Sequence, residues 1–185
     1  MPAATNPRLA RRSVAGASLL RELSSRFPRA GRVEAIYLRP ARDVPAGSVD
    51  AALAIAGRGL EGDRSAAGAR AGHKRQVTLI QHEHVPLIAA WTGRDAIDAA
   101  LFRRNLVIAG INLLAARTLF ADRPVRIRIG GEVVLIVTGS CDPCSKMEAA
   151  LGPRAYNAMR GDGGLTATID TGGRIAVHDV VRIVA

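Results

Sequence analysis

Aromatic side chains are scarce in this chain: three Phe, two Tyr and one Trp make up 3% of its 185 residues. Readers of single-stranded nucleic acid stack bases on aromatic rings, so no specific nucleic-acid partner is expected. Cysteine is scarcer still, at two. Two thiols cannot form a framework of bridges or supply the four ligands of an iron–sulfur cluster. No apolar run reaches the ~18 residues that cross a bilayer, so no membrane partner is expected. The four histidines, His73, His82, His84 and His178, include no pair at zinc-finger spacing. His82-Glu83-His84 sets its imidazoles too close together for the zinc-protease helix, and Pro86 follows.

What is present describes an ordinary soluble globular chain, 48% hydrophobic and 23% charged, of a length that suits one domain. The net charge of +10 is unevenly spread. Residues 1–42 hold nine Arg against Glu22 and Glu34, a net of +7 that leaves +3 for the remainder. A basic terminus of this kind suits docking to a partner, and a few well-placed Arg suit a small anionic ligand. The segment RLARRSVAGASLLRELSSRF has the twin Arg of an export signal, but its apolar stretch is short and meets Arg21, Glu22 and Arg26 at once. Leu20, Leu23 and Phe27 share one helical face instead. Residues 1–30 are therefore read as a basic helix and linker ahead of one domain, 31–185, in a cytoplasmic protein with reduced thiols.

Strands are expected over 31–40, 49–56 and 76–81, with 57–75, rich in Gly and Arg, as a loop. Residues 82–102 suggest two short helices broken near Gly93. In PVRIRIGGEVVLIVTG, Val125, Ile127 and Ile129 alternate with Arg126 and Arg128, and Gly130-Gly131 signals a hairpin. Val133 to Val137 is apolar at every position, which predicts a strand covered on both faces. The final LTATID, TGG, RIAV and DVVRIV repeat the strand–turn–strand device. Many short strands, Gly turns and few helices predict a mainly β fold: a closed or nearly closed barrel with a few peripheral α-helices.

Both cysteines lie in VVLIVTGSCDPCSKMEAALG, between a strand and a helix. A thioredoxin-like dithiol would carry its motif early in the fold, whereas only 41 residues follow Cys144 and they read as hairpins. Half of a zinc site is a second reading, and a single working thiol a third. Asp142 could cap the helix with Pro143 at its first position, or Ser145 and Glu148 could form a capping box. Either would set Cys144 beside unsatisfied backbone N–H groups, a setting that suits a thiolate, a persulfide or a soft metal ligand.

Five segments in order, GLEGDR, KRQVTLIQ, FRRNLVIAGINL, TGSCDPCSKMEAALG and GLTATIDTGGRIAVHDVV, resemble the MOSC domain, the module named from the C-terminal part of molybdenum cofactor sulfurases. The resemblance covers roughly residues 57–183 and implies a MOSC-type β-barrel. The family's defining cysteine matches Cys144, which implies that Cys144 is the working thiol and Cys141 a bystander.

Two roles for that thiol follow from the resemblance. Cys144 would be the protein ligand to molybdenum in a bound molybdenum cofactor (molybdopterin), as in family members that reduce N-hydroxylated small molecules. Alternatively it would carry a persulfide sulfur to a metal cofactor. The first needs an electron-donor protein, the second a sulfur donor of the cysteine desulfurase type. A non-enzymatic basic binding module is a third possibility, from a different class. Arg103 and Asn105 match an Arg and Asn that occur together in the reducing members; Arg103 would pair with the cofactor's phosphate or pterin, and Asn105 would fix backbone around it. Asp142 and Pro143 would add backbone contacts. Lys74 and Arg75 would bind anions, His73 would transfer a proton, and Thr166 would face the pocket, at the mouth of the barrel. RGDGG (160–164) could form a nest of N–H groups or simply enter a hairpin, and Asp63 could simply end its loop. The segment before residue 31 is too short to replace the extra N-terminal β domain of the reducing members, and His178 stands where the family commonly has glycine.

Overall fold

The computed structural model describes residue 16 and residues 18–68 and 73–184. Its strands are β1 (Gly31–Leu38), β2 (Gly47–Val49), β3 (Ala51–Ile55), β4 (Gly59–Leu60), β5 (Val77–Gln81), β6 (Leu106–Ala109), β7 (Arg126–Ile129), β8 (Val133–Ser140), β9 (Leu165–Thr171), β10 (Gly173–Ala176) and β11 (Val180–Val184). Residues 18–25 form α1. The later helices are short: α2 (Arg64–Ala67), α3 (His84–Trp91), α4 (Ser145–Leu151) and α5 (Ala155–Met159), with 3-10 turns at Ala99–Phe102 and Leu113–Ala116.

Strands β11, β7, β8, β9, β5, β6 and β1 pair side by side in that order. Pairing of Gly31 and Arg32 with Val181 and Val180 returns β1 to β11 and closes a seven-stranded barrel. Closure removes the free edges that would otherwise template aggregation. β2 pairs with the far end of β1, and β10, β3 and β4 make a small second sheet. Among the described residues only β5 and β6 run parallel, and α3 with the first 3-10 turn supplies the crossover that a parallel pair requires.

Alternation decides which residues fill the barrel. On β7, Ile127 and Ile129 are buried while Arg126 and Arg128 are exposed, as the sequence pattern requires. The interior is aliphatic, built from residues such as Val33, Ile36, Leu79, Leu106, Ile108, Leu135, Leu165 and Val181. Each fully buried Val, Leu or Ile contributes roughly 1.5–3 kcal/mol relative to an exposed one. A second cluster, with Ile80, Val107, Phe102, Ile88, Met147, Leu151 and Met159, lies on the other side of β5 and β6 under the helices.

Three expectations need correcting. The strand covered on both faces is not β8, where Val134 and Ile136 are only half-buried. It is the parallel pair, whose crossover elements cover the outer face; all four residues of β6 are buried. The second helix expected in 82–102 is only a 3-10 turn. Finally, α1 does not pack through its leucines, since Leu20 and Leu23 are 53% and 55% exposed. Arg21 ties it down instead, donating to both Asp122 carboxylate oxygens at 2.9 and 3.2 Å and stacking over Phe120. The arginines before residue 16 lie outside the described residues. His178 has φ +74°, a left-handed conformation in which glycine lacks a side chain's steric cost.

Candidate active site

The site starts from one strand. Val77 and Leu79 of β5 belong to the interior cluster, so Thr78 between them points outward. Thr78 lines a cavity of about 420 Å³ against the outer face of the barrel wall. The pocket is therefore beside the wall, not at the barrel's mouth. Residues just past β1 (Arg39), around α2 (Asp63, Arg64, Ser65), before β5 (His73, Arg75), before β6 (Arg103, Arg104, Asn105) and at the start of α4 (Cys144, Lys146, Met147) complete the lining.

Asn105 and Asp63 hold these pieces together. Asn105 Oδ1 accepts from Thr78 N and Oγ1, while its Nδ2 donates to Tyr37 O and Asp63 Oδ2. Asn105 thus fixes backbone around the pocket. Asp63 is 3% exposed and does far more than end a loop. It accepts from Ser65 N and Oγ at 2.8 and 2.6 Å, capping α2, and from Arg39 N at 2.9 Å. A buried carboxylate with this many donors is a junction, and its negative charge is already committed.

Every other charged side chain of the described lining is cationic: Arg39, Arg64, Arg75, Arg103, Arg104 and Lys146. Arg39 records the strain of that arrangement. Burial, reinforced by Arg103, Arg64 and Arg75, pulls its pKa down, and only Asp63 opposes the shift. Among the described residues its buried Nε has no hydrogen-bond partner. Arg103 stands in the left-handed region at φ +58°, closing the 3-10 turn at Ala99–Phe102. Positive charges gathered on partly buried backbone are expected where an anion is to be bound.

The two cysteines separate cleanly. Cys144 is exposed, lines the pocket and is itself the N-cap residue of α4, its carbonyl accepting from Met147 N and Glu148 N. Neither expected cap forms. Asp142 and Pro143 precede the cap, and Glu148 turns away to accept from Arg154 N and Tyr156 N at the start of α5. Cys141 is 1% exposed, with its sulfur accepting from Arg75 Nη2 at 3.0 Å. Burial pushes its thiol pKa up, while Arg104 and Arg75 pull the other way. Cys141 N donates to Gly164 O. A Cβ at Gly163 would collide with Cys141 O, and one at Gly164 with Leu79 O, so these glycines serve close packing of their loop.

Of the residues singled out from sequence, Cys144, His73, Arg75, Arg103 and Asn105 line the pocket. His73 Nδ1 accepts from Arg75 N at 3.0 Å, which makes Nε2 the protonated nitrogen of the neutral ring. Lys74, Asp142, Pro143 and Thr166 are absent from the described lining. Lys74 and Asp142 are exposed and Pro143 is buried. Thr166 turns to Thr138 Oγ1 at 3.0 Å and Gly139 O at 3.2 Å. Arg39, Arg64, Arg104, Asp63 and Lys146 were missed, and only for Arg64 was there an available signal, the density of Arg in the Gly-rich loop. Among the described residues, no group of three or more His, Cys, Asp or Glu side chains could hold a metal ion, so the zinc reading has no ligand set.

The family model of the MOSC domain matches residues 66–182. The chain belongs to the MOSC domain family. This segment of the MOSC protein holds Cys144, His73, Arg75 and Arg103–Asn105, whereas Arg39, Asp63 and Arg64 precede it. Comparison with curated proteins gives no match. Solved structures share the fold at low identity. YuaD from Bacillus subtilis superposes with a TM-score of 0.69 at 16% identity, over 85% of this chain and 98% of that one. YiiM from Escherichia coli gives 0.64 at 19%, over 85% and 71%, and YiiM from Geobacillus stearothermophilus gives 0.65 at 15%, over 84% and 75%. Among the described residues, no helix is long and apolar enough to cross a membrane.

Proposed function

We propose that this MOSC protein binds a molybdenum cofactor through Cys144 and reduces N-hydroxylated small molecules. The observation that carries the reading is an exposed thiol in a pocket whose charged side chains, apart from the committed Asp63, are all cations. A molybdopterin needs two things of a protein: a soft anionic ligand for the metal and cationic partners for its phosphate. Cys144 would supply the first, and Arg39, Arg75, Arg103 and Arg104 the second. The Nε of Arg39, unpartnered among the described residues, supports the fit, because a buried donor is costly until an acceptor meets it.

When bound, the molybdenum centre supplies two-electron removal of oxygen from the N-hydroxyl group. This chain's residues bind, orient and deliver a proton. Asn105 and Asp63 lock the strand ends behind the pocket. His73, with Nδ1 engaged by Arg75 N–H, would offer its Nε2 proton to the leaving oxygen. Electrons would come from a donor protein, because two cysteines cannot hold an iron–sulfur cluster. The test is reduction of benzamidoxime by cofactor-loaded protein with reduced methyl viologen as donor. Turnover that is lost in Cys144→Ser and kept in Cys141→Ser supports the reading, and equal turnover in both variants contradicts it.

The exposure of Cys144 also favours a second role, as a persulfide carrier open to a partner's thiol. An extra sulfur mass on Cys144 in metal-free protein, transferable to an acceptor, would select that role.

A further inference from the structure

Arg104 is the most buried cation of the pocket, only 3% exposed. Its guanidinium donates from Nη1 to Phe102 O at 2.8 Å, from Nε to Gly163 O at 2.7 Å and from Nη2 to Cys141 O at 2.8 Å. These carbonyls come from three separate segments: the 3-10 turn before β6, the glycine loop before β9 and the cysteine loop. Among the described residues no carboxylate hydrogen-bonds Arg104; burial pulls its pKa down, Arg75 reinforces the shift, and Cys141, Cys144 and the exposed Asp142 oppose it only through space. Five N–H groups and three carbonyls leave donors over, on a side chain that lines the cavity. Carbonyl dipoles satisfy the hydrogen bonds but do not neutralise the charge, and a buried unpaired charge is costly.

We propose that Arg104 is a positioning residue whose missing counter-charge is an oxyanion in the pocket, so that binding of a phosphate group tightens the loop that carries Cys144. Without an anion, Arg104 holds the cysteine loop against the glycine loop with only carbonyls as hydrogen-bond partners among the described residues. With one, the charge is paired, the guanidinium plane is fixed from both sides, and the Cys141 carbonyl is held more firmly. Anion binding and thiol placement are then one coupled equilibrium. The inference rests on the reading that Cys144 works in this pocket, and adds a device that sets the sulfur's position.

Lysine separates charge from geometry, because its single ammonium keeps the cation but lacks the planar fork that spans three carbonyls. Amide hydrogen exchange over residues 141–144 and 161–164 would be followed in wild type, Arg104→Lys and Arg104→Met, with and without inorganic phosphate. Wild type should exchange slowly and slow further with phosphate. Arg104→Lys should exchange about tenfold faster and still respond to phosphate. Arg104→Met should exchange fast and not respond. Exchange in Arg104→Lys equal to wild type, or a phosphate response that survives in Arg104→Met, overturns the proposal. If Arg104→Met does not fold, the Lys variant decides alone. The thiol reading is tested by metal content and this one by the phosphate response of exchange over residues 161–164, so the two fail separately.

Discussion

The two sides of one strand are built from opposite materials. Inward from β5, Val77 and Leu79 meet an aliphatic interior in which every buried member is apolar. Outward, Thr78 meets a cavity lined by five arginines, a lysine and one thiol. The interior is the part that folding favours: its apolar groups leave water and leave no polar atom wanting a partner. The pocket is the part that folding tolerates, since its cations repel one another and, among the described residues, the buried Nε of Arg39 has no acceptor. An apolar core lies on one side of the wall and a cationic cavity on the other, about one side chain apart.

That contrast is tested first from the inside. Leu135→Ala should cost about 2–5 kcal/mol in denaturant unfolding, by lost transfer energy and a residual cavity, while molybdenum content per folded molecule stays unchanged. Asp63→Ala should blur the boundary, because Asp63 is a pocket residue with an interior's duties. Loss of its bonds to Arg39 N, Ser65 and Asn105 should cost about 1–3 kcal/mol and weaken anion binding in the same protein.

Cys141 sharpens the comparison through pH. Its folded pKa is raised because burial disfavours the thiolate. A raised pKa means that the neutral thiol's contribution is whole below the ordinary thiol pKa, about 8.5, and declines as pH rises above it. Unfolding free energy should therefore fall through the alkaline range in wild type, and the decline should flatten in Cys141→Ala. The smallest expected effect has the opposite sign to the first. Arg64→Ala should raise stability by up to about 0.5 kcal/mol by relieving repulsion, while inorganic phosphate binds more weakly, and both differences should shrink at high salt.

The barrel was legible because its strands obey a period of two and its hairpins carry glycine. Ile127 and Ile129 against Arg126 and Arg128 needed no tertiary knowledge. The face assignment of β8 was not legible, since Val134 and Ile136 read as buried and only the placement of helices decides what covers them. Cys144, Arg103 and Asn105 were accessible through family resemblance, but the particular bonds of Asn105 to Thr78, Tyr37 and Asp63 were not. Asp63, Arg39 and Arg104 were not. Their role comes from distant segments: Asp63 meets Asn105 across 42 positions, and Arg104 meets Gly163 across 59. Periodicity carries no trace of such pairings. The capping expectation failed for a local reason, because Cys144 occupies the cap position itself and Glu148 is drawn to the next helix.

The most direct test of the proposal asks which sulfur a molybdenum cofactor would need. Wild type, Cys144→Ser and Cys141→Ser would each be produced in cells that make molybdopterin, and their molybdenum-to-protein ratios measured by elemental analysis. Near-stoichiometric metal in wild type and Cys141→Ser, with at least about a hundredfold less in Cys144→Ser, is the predicted result. Equal metal in the two serine variants, or metal lost only with Cys141, would contradict it.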